Sequence, residues 1–375
     1  VAGARVRDVV LVGGGHTHVQ ILRSWTVRPV AGVRLTLVLD RPEAVYSGMV
    51  PGFVAGDYAA RELEIDVVAL ARRAGAAVVL APATGIDAGA RRVHVGGRAP
   101  IAWDVVSLDV GSTVRGLDLP GVREHALATR PIRLLVDRVE ARVAKVVRRT
   151  AGTTRIVVVG AGAAGVELAC TLDARVRSLG ARAEVTVVSD ETELLSGYPR
   201  RVAARMVDEL ARRGIAVRLG ARAVAVECDA LIVGTGRLAA DLVVWATGAA
   251  PLPFLAEAPL PRDAQGFVRV RPTLQVEGHD DLFAVGDCAA LTSAPWVRKA
   301  GVYAVREGPI LDANLRARLD GARLRRYRPQ RDFLSLLNLG GRRALAAKWG
   351  LVVVGGWVWR WKDRIDRRFV ERFAE

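Results

Sequence analysis

At 375 residues the chain exceeds the roughly 250–300 residues at which a single hydrophobic core stops growing, so two domains are expected, one of which can interrupt the other. Hydrophobic residues make up 51% and charged residues 25%, a globular balance that excludes disordered and fibrous classes, and no apolar stretch reaches the ~18 residues that span a bilayer. The net charge of +16 is carried by arginine, since Lys145, Lys299, Lys348 and Lys362 are the only lysines; this bias fits either a GC-rich coding background or attraction to an anionic surface such as a lipid leaflet, and no nucleic-acid partner is expected.

The chain opens on an apolar run, Val9 to Val12, then Gly13-Gly14-Gly15, a helical pattern from about His18 to Trp25, and a second apolar run, Val33 to Leu39, ending at Asp40. No signal-peptide layout precedes it, and a cytoplasmic location is the expectation. Glycines in such a turn let a pyrophosphate approach the backbone, and a carboxylate at the end of the next strand can hold both ribose hydroxyls. Gly13, Gly14, Gly15, Asp40 and its neighbour Arg41 are therefore read as an adenosine-diphosphate site. His18 stands where a third glycine would be, so the helix must sit slightly off the strand or the ring must be tucked aside. His16 and His18 either touch the diphosphate or serve packing and capping; neither is read as a catalytic base.

A helical connector, Pro131 to Arg149, leads into the same pattern again: Ile156 to Val159, Gly160-Ala161-Gly162, a helix through about Leu179, and the strand Ala183 to Val188. In Gly160-x-Gly162-x-x-Gly165 the first glycine allows the tight turn, the second the approach of the pyrophosphate and the third close helix–strand packing. The helix N-terminus then offers N–H groups and positive dipole to phosphates. The second strand ends at Ser189-Asp190-Glu191, where acids repel a 2′-phosphate. NADH is favoured over NADPH on that ground, unless Arg200 or Arg201 folds back over the loop. Residues 214 to 250 read as short strands closing on Trp245-Ala246-Thr247-Gly248, and residues 282 to 320 as a strand into Gly286-Asp287 followed by a helix from near Ala300.

Three cysteines at wide spacing, Cys170, Cys228 and Cys288, offer neither a disulfide framework nor a Cys-x-x-Cys pair, and no metal site is expected. At the end of the chain Trp357, Trp361, Ile365, Phe369 and Phe373 recur every four residues among arginines. They predict a basic amphipathic helix that meets either a membrane surface, the protein's own body or a second copy in a homodimer. The run Leu351 to Val354 before it reads as a strand.

Gly13-Gly14-Gly15, Ser107-Leu108-Asp109-Val110-Gly111-Ser112, the second fingerprint ending in Glu167, Ala246-Thr247-Gly248 and Phe283-Ala284-Val285-Gly286-Asp287-Cys288-Ala289 follow the order used in the pyridine nucleotide-disulfide oxidoreductase superfamily. The resemblance covers about residues 8 to 320. Gly-Gly-Gly-His-Thr-His, Tyr46-Ser47-Gly48-Met49-Val50-Pro51-Gly52 and Lys299-Ala300-Gly301-Val302-Tyr303 are similar to the branch of FAD-containing NADH dehydrogenase subunits. That branch includes the flavoprotein module fused to selenide water dikinase and is kin to the type II NADH:quinone oxidoreductases.

The resemblance implies that Asp287 binds the flavin ribityl chain and that the helix from Ala300 points its N–H groups at the flavin pyrimidine edge, where its dipole stabilises reduced flavin. It places Ala83 against the adenine, Asp109 in the tract that borders the flavin, and Gly111 and Gly248 at the crossover turns. Glu167 would reach towards the nicotinamide, or is a helix-surface carboxylate favoured by the dipole. Lys299 would aim an ammonium at the cofactor or acceptor, or is simply solvated. The reactive cysteine pair of the disulfide reductases is missing, since no cysteine precedes Cys170, so disulfide and sulfide chemistry are disfavoured.

The expected fold is α/β with two Rossmann-like dinucleotide-binding domains: an FAD domain from 1–115 and 250–325, interrupted by an NAD(P)H domain at 116–249, with a C-terminal segment at 326–375. The expected activity is hydride transfer from NADH to FAD and onward to a small-molecule acceptor, a quinone first, with peripheral membrane contact through the C-terminal helix. A redox role in selenium or sulfur metabolism, or a nucleotide-sensing flavoprotein with little turnover, are the alternatives.

Overall fold

The computed structural model describes residues 6–150 and 152–374. The predicted strand–turn–helix units become two five-stranded parallel sheets, as an α/β fold with two Rossmann-like units requires; four strands follow the same order in both, while the edge strand comes last in the chain in the first sheet and first in the second. In the first, the order is Leu282–Ala284, Val105–Leu108, Arg7–Val12, Val33–Leu39, Ala77–Leu80. In the second it is Ala126–Ala128, Leu242–Trp245, Thr153–Val159, Arg182–Val188, Ala216–Arg218. Val9, Leu11, Leu37 and Val106 in one sheet and Ile156, Val158, Val187 and Val244 in the other are fully or almost fully buried, the near-continuous apolar runs of strands covered on both faces.

Each glycine-bearing strand sits beside the strand that ends in the acid and beside a crossover strand. The fingerprint helices His18–Val27 and Ala163–Ser178 thus start at the carboxyl ends of the central strands, where open α/β sheets bind ligands. The edge strand Leu282–Ala284 reaches the first sheet only after the chain has made the second. It leads through Gly286–Cys288 to the helix Gly301–Asp320, which packs on the first fingerprint helix.

The C-terminal segment forms an antiparallel three-stranded sheet, Ser335–Gly340, Arg343–Lys348 and Leu351–Gly355, followed by the helix Gly356–Ala374. The stripe of five apolar residues does not lie on one face. A residue turns about 100° on an α-helix, so a spacing of four drifts about 40° per step and about 160° from first to last. Phe369 and Phe373 are accordingly buried in the core of the first sheet, while Trp357, Trp361 and Ile365 are exposed. Val358 and Trp359 pack into the core of the second sheet, so this helix staples both cores.

Candidate functional site

Two clefts open at the carboxyl ends of the two sheets. The first, about 400 Å³, is lined by Gly13, Gly14, Gly15, His16, Asp40, Arg41, Ala83, Asp109, Gly111, Gly286 and Asp287. A Cβ on Gly13 would overlap the Asp109 backbone oxygen, and one on Gly15 the Asp109 carboxylate, so the turn runs as bare backbone against the crossover strand. Gly111 has φ +72° and free space where a Cβ would project, a cradle that a side chain would fill. The residues fit the adenosine and diphosphate of FAD on these grounds.

The missing third glycine is replaced by a polar brace. His18 is completely buried, with Nδ1 2.8 Å from Gly13 O and Nε2 2.8 Å from Ser107 Oγ. Burial depresses its pKa to about 4, against the hydrogen bond to Gly13, so the ring is neutral. Asp109 Oδ2 accepts hydrogen bonds from Thr17 N and His18 N, both at 2.9 Å, and caps the first fingerprint helix from the neighbouring strand. Burial pushes the Asp109 carboxyl up to about 7, although these two donors pull the other way. His16 lies against Tyr46 and Phe369 with Nε2 3.4 Å from Ser47 N, and burial lowers its pKa despite the pull of Asp287. Arg41 points to Asp137 at 3.4 Å.

The second cleft, about 1340 Å³, is lined by Gly160, Gly162, Ser189, Asp190, Gly248, Lys299 and Ala300 among others. A Cβ on Gly165 would overlap Gly160 O, and one on Gly160 would overlap Ala246 O, while Gly162 faces open space. This is the geometry of a dinucleotide turn, and the residues fit a nicotinamide nucleotide. Ser189 is buried, with Oγ accepting from Glu191 N at 3.2 Å, which holds Asp190 and Glu191 exposed at the strand end.

Arg130 lines both clefts. Its guanidinium donates to Ser112 Oγ at 3.1 Å and to Lys299 O at 3.2 Å, and pairs with Asp287 at 3.2 Å; Ser112 Oγ also donates to Asp287 at 3.1 Å. The sequence pointed to Asp287 alone. Lys299 does not extend into open solvent: Nζ donates to Ala289 O and stands 4.0 Å from the centre of the Phe267 ring, and burial lowers its pKa. Glu307, about two turns beyond Lys299 on the helix Gly301–Asp320, accepts from Gly286 N at 2.6 Å, and burial lifts its carboxyl to about 8.

Glu167 turns to the C-terminal sheet, where Oε1 accepts from Asn338 N at 2.7 Å, and it is not among the residues lining either cleft. Burial raises its pKa to about 7, opposed by nearby Lys362. Lys362 is itself buried, donating to Gly48 O at 2.6 Å and to Asp366 at 2.5 Å; Tyr46 donates to the same carboxyl at 3.3 Å. This cluster braces the segment Tyr46–Met49 against the C-terminal helix. The sequence reading assigned Lys362 no role and missed the cluster. The available signal was a rare lysine four residues before an aspartate, the spacing of a helical ion pair.

Cys170 and Cys288 are buried and their thiols are pushed up to about 12 by burial, and all three cysteines are free. No group of metal-ligating side chains occurs among the described residues.

A family model for pyridine nucleotide-disulphide oxidoreductases matches residues 7–308. An NADH dehydrogenase-like protein of Bacillus subtilis is 24% identical over 340 residues, covering 90% of this chain and 91% of that protein. The demethylphylloquinone reductase of Synechocystis is 26% identical over 265 residues, 68% of this chain and 64% of its own length. Among solved structures, NDH2 from Plasmodium falciparum in complex with NADH has a TM-score of 0.81 at 12% identity, over 99% of this chain and 98% of that one; that likeness is one of fold.

Proposed function

This chain belongs to the pyridine nucleotide-disulphide oxidoreductase family, and from that premise we propose that it passes electrons from NADH through FAD to a quinone met at a membrane surface. It is an FAD-dependent NADH dehydrogenase. The observation that carries the reading is the meeting of the two clefts: Arg130 lines both, and the flavin-facing helix begins between them, with Lys299 and Ala300 on one side and Gly301 and Ala304 on the other. Two cofactors that exchange a hydride must touch, and this is where they can.

We assign residues 1–115 and 250–325 to the FAD module, of which 1–5 lie outside the described residues, 116–249 to the NADH module and 326–375 to the acceptor side. When bound, FAD supplies a ring that takes a hydride from the nicotinamide and returns two electrons to the acceptor. The chain contributes position and charge. Asp40 holds the adenosine ribose, Asp287 with Ser112 and Arg130 the ribityl side, and the N–H groups of helix Gly301–Asp320 the pyrimidine edge. A quinone takes two protons with its two electrons, and the carboxyls of Glu167 and Asp366, both raised by burial, hold protons on the side closed by the C-terminal helix.

Support for the membrane surface comes from Trp349, Leu351, Val353, Trp357, Trp361 and Ile365, which are exposed with Arg360, Arg364 and Arg368 nearby in sequence. Rings of this kind sit at an acyl boundary while arginines meet anionic headgroups on the cytoplasmic face. No helix among the described residues is long and apolar enough to cross a membrane. Removing the whole helix would expose both cores, so the test uses Trp357→Ser with Trp361→Ser. Bleaching of the flavin by anaerobic NADH should stay within about twofold, while turnover with a hydrophobic quinone in anionic vesicles should fall about tenfold or more. Unchanged vesicle binding sinks the membrane reading, and a dimer lost in its place assigns the patch to a second copy.

A further inference from the structure

Arg298 stands on the loop that precedes the flavin-facing helix, is exposed, and lines the nicotinamide-nucleotide cleft. Its guanidinium crosses to the other module. It lies 5.8 Å from the centre of the Tyr198 ring and so close to Gly197 that a Cβ there would overlap Nη2. Gly197 has φ +75°, so glycine is required both for the turn and for this approach. The loop under Arg298 is tied to the phosphate-binding turn: Leu195 N donates to Ala161 O at 2.9 Å, and Tyr198 N to Leu195 O at 2.8 Å. Ala161 lies between the two glycines that face the cleft.

Of the other five arginines that line the cleft, Arg130 is paired with Asp287 at 3.2 Å and Arg269 with Glu277 at 2.9 Å, while Arg115, Arg222 and Arg262, like Arg298, make no ion pair among the described residues. The neighbour of Arg298 on the far wall is an aromatic face. A cation over a tyrosine at the solvent edge is a weak hold. A guanidinium on a phosphate makes paired, charge-assisted hydrogen bonds and is much the stronger contact. We propose that Arg298 is the closing residue of this cleft: it leaves the Tyr198 ring and binds the diphosphate of the nicotinamide nucleotide, latching the FAD module's loop over the turn of the other module. The proposal rests on the reading that NADH occupies this cleft.

ADP-ribose, which carries the diphosphate and lacks the nicotinamide, separates the two ideas. Its dissociation constant is measured by calorimetry on the FAD-loaded protein, reduced beforehand with dithionite so that NADH binds without giving up its hydride, beside that of NADH. Arg298→Met should weaken both ligands by about tenfold to a hundredfold, the range of a lost charge-assisted bond, with FAD content unchanged. Arg298→Lys should recover part of the loss. Tyr198→Leu removes only the resting seat, so ADP-ribose should bind as well as or better than to the parent. Unchanged ADP-ribose affinity in Arg298→Met overturns the inference, whether or not NADH is affected. Equal losses in Tyr198→Leu and Arg298→Met overturn it too, since the pair would then be a structural clasp. Failure of the parent protein to bind either ligand would instead remove the reading of the cleft, and the latch with it.

Discussion

In the NADH module the turn between strand and helix closes on Gly165, where a Cβ would overlap Gly160 O, whereas in the FAD module the equivalent place is filled by the buried ring of His18. One turn is made of backbone alone. The other needs three side chains, one from the helix and two from the end of a neighbouring strand: His18 spanning Gly13 O and Ser107, and Asp109 capping Thr17 N and His18 N. The difference shows two solutions to close helix–strand packing, a third glycine in one turn and a braced, buried histidine in the other. It also makes the two modules fail differently, one by sterics and the other by protonation.

The largest effect is expected where no side chain can give way. Gly165→Val places carbon atoms on Gly160 O, so strand and helix must separate. A loss of about 3 kcal/mol or more, read by denaturant titration, should accompany the disappearance of NADH binding. The FAD module has its own sheet and its own turn, and flavin occupancy should survive. Loss of both cofactors together would mean that the modules do not fail independently.

A smaller, pH-dependent effect belongs to the other turn. The folded pKa of Asp109 is raised from 3.8 to about 7 by burial. Stability from this group is therefore fully present below about pH 3.8 and is lost as pH rises through about 7. Of the groups around it, Asp287 adds negative charge, while Glu307, its carboxyl lifted to about 8, stays largely protonated over this range; Lys299 and Arg130 are the cations on that side. Flavin retention should thus decline from about pH 4 to about pH 7 and level off above, and Asp109→Asn, which cannot ionise, should flatten the profile. The same decline in the variant would break the link between the brace and FAD. NADH affinity, resting on a turn without a titratable group, should follow neither curve.

How much of this could be read from the sequence depended on distance along the chain. Both glycine turns, the acids at the ends of the next strands and Gly286-Asp287 are short patterns whose meaning is local, and the family model covers the same stretch that the resemblance did. Contacts between remote segments left no local mark. Glu167 meets Asn338 across 171 positions, Lys362 meets Gly48 across 314, and Asp109 caps a helix about ninety residues earlier. The C-terminal stripe misled because a repeat of four resembles a helical face over two turns and drifts off it over four. Three of its five residues face solvent and two close the core.

The adenosine end of the second cleft offers the smallest predicted effect, and it sharpens what the backbone turn leaves undecided. Such a turn binds any dinucleotide diphosphate, so the choice between NADH and NADPH must come from side chains at the strand end. Asp190 and Glu191 stand there exposed, on the loop fixed by Ser189. Backbone bonds from Gly220 N to Glu191 O at 2.9 Å and from Ala221 N to Ser189 O at 2.8 Å bring Arg222 onto the same cleft wall. Arg200 and Arg201 do not line it. Two acids therefore face a 2′-phosphate against one arginine, and flavin reduction should favour NADH over NADPH by about tenfold, the factor that ~1.4 kcal/mol of net repulsion gives. Asp190→Ser should narrow the gap through NADPH alone, and Arg222→Ala should widen it. Equal efficiencies in the parent protein would show that Arg222 already cancels the acids, and the preference for NADH would then have no basis in this loop.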